Sequence, residues 1–207
     1  MSQTAPLHFT QDYHTPAEFQ GAADRWVREN DQVGAALISH MWWQFGPCDA
    51  VTLGDHRCEI LTAHLEPGFL PGGGYTAPET VCHGPGSMLY QANCEPCRWH
   101  IIAESESAVV EGWHDHAAPG WRALPVIPSH VADYMSMGNW SQKGLSWIEA
   151  NYPVEWQGPG HPIISERKPH MTRHVPGYSP WRGYDLAHTA VPDAPPTQRP
   201  PEQMTLF

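Results

Sequence analysis

Helix-patterned and strand-patterned segments set between many Gly and Pro residues predict an α+β protein: a small, loop-rich single domain with a zinc knuckle and a disordered Pro-rich C-terminal tail. Three observations lead there. Only 16% of the 207 residues are charged, whereas 18 Gly and 22 Pro put long stretches of chain into turns rather than uninterrupted helices. Ten Trp supply large apolar surfaces, so a core can form from few regular elements. A Cys-x-x-Cys pair lies between two strand-like runs and is followed by a helical one.

The first element is the plainest. Thr15-Pro16-Ala17-Glu18 spells a capping box with Pro at the first helical position. Phe19, Ala22, Ala23, Trp26 and Val27 then recur at helical spacing, with Asp24, Arg25, Arg28 and Glu29 mostly on the opposite side. The stripe reads as core packing. Residues 33–45, including Met41-Trp42-Trp43, are apolar enough to enter the core, and their pattern leaves helix and strand both open. Cys58 to Leu65 alternates like a strand, and Glu66 to Glu79 reads as a long loop. Ser87–Ala92 and Arg98–Ala103 predict two short strands flanking Cys94 and Cys97. Ser105 caps a predicted helix that runs to about His116 and is stopped by Pro119-Gly120. From Trp121 to His188 the expectation is irregular chain wrapping the core, with one short helix near Gln142–Asn151.

The net charge of −11 has the wrong sign for a protein that grips phosphates unaided, so direct nucleic-acid binding is not expected. Arg167, Lys168, Arg173 and Arg182 concentrate basic charge between His161 and His188, a pattern that fits a solvated face better than an anion site. No apolar run of membrane-spanning length and no export signal is present, which predicts a cytoplasmic protein. Five Cys in a reducing compartment read as thiols or metal ligands, not as a disulfide framework.

Cys94-Glu95-Pro96-Cys97 has the spacing that lets two thiolates reach one tetrahedral ion. The following helix ends in His114-Asp115-His116, and the predicted ligand set is Cys94, Cys97, His114 and His116 around a structural zinc. Residues two apart on a helix point about 200° apart, so both imidazoles reach one ion only if the helix frays there. Cys58, Cys82, His83 and His100 stand as spare ligands. Cys-x-Pro-Cys also occurs in thiol oxidoreductases, where the first Cys opens a helix; here the segment after the pair reads as strand. A zinc-dependent enzyme using the His-Asp-His cluster is an alternative, although nothing else in the sequence points to a substrate pocket.

The folded domain is expected over residues 1–188, with its knuckle-like segment at 87–118, followed by a flexible linker at 189–202. Pro192, Pro195, Pro196, Pro200 and Pro201 leave that linker little to bury. The chain then ends in Gln203-Met204-Thr205-Leu206-Phe207, and exposed apolar groups on such a tail mark an interaction site. This pentapeptide resembles the docking motif of bacterial sliding-clamp-binding proteins: Gln, an aliphatic residue, a small polar or acidic residue, Leu, then Phe or Leu. At ordinary residue usage Gln-x-x-Leu-Phe arises at roughly one position in several thousand. By side-chain chemistry Gln203 would be fixed by hydrogen bonds, Leu206 and Phe207 would anchor in an apolar pocket, Met204 would adapt to it and Thr205 would face solvent.

The stretch from Cys94 through residues 114–122, with Thr172-Arg173-His174-Val175-Pro176 and Gly183-Tyr184-Asp185, resembles an uncharacterised family of actinobacterial and actinobacteriophage proteins over roughly residues 20–190. That resemblance implies a phage or actinobacterial setting and no mechanism. Together the two resemblances imply a non-enzymatic partner of the bacterial DNA polymerase III sliding clamp (the beta clamp), which as a phage protein would compete with host polymerases and inhibit replication in the host cytosol. The alternative is a replication or repair accessory factor recruited by the same peptide.

Overall fold

A computed structural model describes residues 10–29, 42, 50–64, 88–132, 140–166 and 172–190. The helix α1 (Pro16–Glu29) starts where the capping box places it. Thr15 N–H donates to Glu18 Oε2 at 2.8 Å, and Glu18 N–H donates to Thr15 Oγ1 at 3.2 Å, so two otherwise orphaned donors satisfy each other's residues. Phe19, Ala22 and Ala23 of the apolar stripe are buried.

Four strands follow as an antiparallel sheet in sequence order: β1 (Val51–Leu53), β2 (His56–His64), β3 (Met88–Cys94) and β4 (Trp99–Ala103). Gly54, at φ 57°, opens the two-residue turn that pairs Leu53 with His56. The period-2 alternation of side chains gives the sheet two buried faces. Leu61, Ala63 and Leu89 pack with Phe19 and Trp42 on one. Cys58, Ile60, Ala92 and Cys94 join the main core on the other, beneath the helix α2 (Glu106–Ala117). Ser105 caps α2 by accepting from Ala108 N–H at 3.2 Å, as its sequence position predicts. A Cβ at Gly112 would fall 2.6 Å from Ile101 Cδ1, so the missing side chain lets α2 lie close on β4.

The segment after Trp121 corrects the expectation of irregular chain. It contains α3 (Ser129–Ala132), the expected α4 (Gln142–Asn151) and a second sheet. Its strands β5 (Val126–Ile127), β6 (Ile163–Ser165), β7 (His174–Val175) and β8 (Asp185–Ala187) lie in the order β5-β6-β8-β7, with β7 antiparallel to β8 and the other pairings parallel. Strands of two or three residues are too short to carry a readable period, and parallel pairing is a tertiary event.

One core spans both sheets. Trp113 and Trp121 sit with Val51, Ile60, Ile163, Tyr184 and Leu186 in a single buried cluster, which makes the described elements one domain. Tyr152 ties the second sheet together: its hydroxyl donates to Pro125 O at 2.8 Å and accepts from Ile164 N–H at 2.9 Å, and burial pushes its pKa up. Among the described residues no helix is long and apolar enough to cross a membrane. The expectations for residues 66–79 and, from residue 191 on, for the linker and the terminal peptide, and for 33–45 apart from Trp42, fall outside the described residues; Trp42 itself is fully buried and donates from Nε1 to Thr10 O at 3.0 Å.

Candidate metal centre

The antiparallel pairing of β2 with β3 sets the start of β2 beside the end of β3, and so brings His56 to Cys94. From Cys94 the chain makes a 3-10 turn over Glu95–Cys97 and leaves it through Arg98 at φ 52°, whose N–H donates to Glu95 O at 3.0 Å. The 3-10 turn brings Cys97 back beside Cys94, and the left-handed Arg98 then redirects the chain into β4. The last turn of α2 supplies His116.

Those four side chains converge. The ligand atoms of His56, Cys94, Cys97 and His116 all lie within 4.8 Å of one another, a group that could hold a metal ion. His56 Nδ1 is 3.7 Å from Cys94 Sγ and 3.3 Å from Cys97 Sγ. Tetrahedral coordination with ordinary metal–sulfur and metal–nitrogen bonds separates neighbouring ligand atoms by about 3.3–3.8 Å, so the spacing already suits a small divalent cation. His116 Nε2 is buried and has no hydrogen-bond partner among the described residues, a cost that an ion would remove. Burial, and then the neighbouring His56, push the His116 imidazole down, which keeps it in the neutral form a metal needs. Desolvation, followed by the hydrogen bond and charge of Cys94, pushes the Cys97 thiol up; a bound dication would reverse that.

The ring of His116 is held from two sides. Trp99 stacks on it with centroids 4.5 Å apart and planes 3° from parallel, and His56 meets it edge-on at 4.9 Å.

Cys94, Cys97 and His116 of the predicted ligand set are thus together, and His114 is not with them. It is fully buried on the other side of α2, where its Nδ1 bonds to Val110 O at 2.7 Å and its ring lies among Trp113, Trp121 and Tyr184. The helix is regular through both positions, so the 200° separation decides between them. The spare ligands are also placed elsewhere or not described. Cys58 is buried in the sheet, His100 Nε2 bonds to Gln11 O at 2.9 Å, and Cys82 and His83 fall outside the described residues. Sequence reasoning missed His56, which lies 38 residues before Cys94. Its one signal was the Gly54-Asp55 turn, which starts β2 two residues earlier than the predicted strand.

A family model of unknown function, DUF6349, matches residues 4–196. The chain belongs to that family. The match covers both sheets and all four residues of the candidate metal centre of this DUF6349 member, and Gln203–Phe207 lie beyond it. No curated protein and no solved structure matches the chain.

Proposed function

We propose that this DUF6349 protein docks on the sliding clamp of bacterial DNA polymerase III through Gln203–Phe207, and that a structural zinc ion staples its folded part. The observation that carries the docking is the pentapeptide itself: Gln203, Met204, Thr205, Leu206 and Phe207 match the clamp motif position by position. Leu206 and Phe207 supply apolar anchors and Gln203 the hydrogen bonds that orient them. The Pro-rich stretch before the peptide is suited to presenting it away from a globular body. The resemblance to actinobacteriophage proteins favours an inhibitor that occupies the pocket used by host polymerases in the bacterial cytosol.

The donor set supports the structural role of the ion. Two thiolates and two imidazoles suit zinc, and four protein ligands complete its tetrahedron without leaving a position for activated water. A zinc hydrolase would need such a vacancy.

Titration of the full chain against purified clamp tests the reading. Kd is expected in the micromolar range, because a short peptide bears an ordering cost on binding. Deleting residues 203–207, or the pair Leu206→Ala and Phe207→Ala, should abolish binding; equal binding by the truncated chain, or none by the intact one, ends the proposal. Expression in a host separates inhibitor from recruited factor, since only the inhibitor arrests DNA synthesis in a Phe207-dependent way. Metal analysis of the purified protein should find about one zinc per chain, and a metal-free protein of unchanged stability would remove the staple.

A further inference from the structure

At the end of α2 away from the metal ligands, three side chains form a hydrogen-bonded line. Ser107 Oγ lies 3.2 Å from His174 Nδ1, and His174 Nε2 lies 3.3 Å from Glu106 Oε1. The carboxylate fixes the tautomer: it accepts the Nε2–H, so the lone pair stays on Nδ1 and Ser107 must donate its hydroxyl proton to the ring. Glu106 is held ionised, its carboxyl lowered chiefly by the hydrogen bond from His174. The His174 side chain is only 11% exposed, and Ser107 is half-buried. Arg173, next to His174, is taken up by Glu111 one turn along α2, which leaves Glu106 to His174.

This pattern is what nucleophilic catalysis requires: a hydroxyl within reach of an imidazole base, and a third group orienting that base. Ser107 is the second residue of α2, so its own N–H has no preceding helical carbonyl to bond and can donate to a carbonyl oxygen beside the hydroxyl. The line joins sequence positions 67 apart and bridges the first half of the fold to the second sheet.

We propose that Ser107, His174 and Glu106 form an acyl-transfer site that hydrolyses a small carboxylic ester, with Ser107 as nucleophile, His174 as general base and Glu106 as positioning residue. Ser107 Oγ bonds to the ester carbonyl carbon as its proton passes to His174 Nδ1. The carbon–oxygen bond to the alcohol breaks, and the alcohol leaves with that proton. Water then adds to the acyl-serine, giving its proton to His174, and the acid departs as Ser107 recovers its proton. Ester and water become acid and alcohol, and no other reactant is consumed. The site is independent of clamp docking and of the metal: Ser107 and His116 are about 14 Å apart along the helix axis.

The test is covalent labelling of the full chain with a fluorophosphonate, read by intact mass and peptide mapping, alongside hydrolysis of p-nitrophenyl acetate. A single adduct is expected on Ser107, absent in Ser107→Ala. The labelling rate should fall at least about 100-fold in His174→Ala and His174→Gln. It should fall in Glu106→Gln and recover in Glu106→Asp, a rescue that a purely structural contact would not produce. No adduct, an adduct on another residue, or unchanged labelling without His174 overturns the proposal. Circular dichroism accompanies each variant; if the His174 variants unfold, the site of the adduct in the wild-type chain decides alone.

Discussion

The rings of Trp99 and His116 stack with centroids 4.5 Å apart and planes within 3° of parallel, directly beside the two knuckle thiols. An imidazole that ligates the proposed ion would change its electronic state when the ion binds or leaves. Chelation should therefore alter Trp99 emission, and the change should disappear in Trp99→Phe although nine other Trp remain. A chelator response unaffected by Trp99→Phe would separate the stack from the metal.

The two histidines of the His-Asp-His run should behave oppositely on substitution. His116→Ala removes a proposed ligand and should cut metal content well below that of the wild type, as should His56→Ala. His114→Ala should keep the metal and instead cost about 2–4 kcal/mol, since it leaves a cavity in the core. Metal stoichiometry and urea unfolding, measured on the same samples, distinguish the two outcomes.

His114 also carries a pH dependence of defined sign. Desolvation by burial, partly opposed by its bond to Val110 O, pushes its pKa from 6.5 down to about 4. It stays neutral in the fold while the unfolded chain takes up a proton, so its stabilising effect is complete above about 6.5 and is lost as pH falls toward 4. Over that window the wild type should lose about 3 kcal/mol more than His114→Leu. Denaturant unfolding at both ends of the range, with chelator present in each, checks it.

Gly160 controls the join between the two sheets. Its φ is +80°, and a Cβ there would fall on the Thr52 carbonyl of β1; Gly183 has the same restriction against the His161 and Gly160 carbonyls. Gly160→Ala should cost about 2–4 kcal/mol through overpacking and backbone strain. Gly177, which also has positive φ but nothing near its missing side chain, should cost less when changed to Ala, and thermal unfolding of the pair compares them.

Local chemistry made much of this protein readable from its sequence. The capping box of α1, the Ser105 cap of α2 and the Ser141 cap of α4 are set by interactions within a few residues, and the strands around Cys94 and Cys97 show in the alternation of their own side chains. The Cys-x-x-Cys half of the candidate metal site belongs to the same class, because one turn places both thiols. The helical period even stated the conflict between His114 and His116. What resolved it was the face of α2 that packs on the sheet, and that depends on every element of the core. His56 reached the site through strand pairing across a 38-residue separation, and Ser107 met His174 across 67. Such contacts form only after long loops close, so no local pattern records the pairing itself, although the Gly54-Asp55 turn marks where the strand of His56 begins.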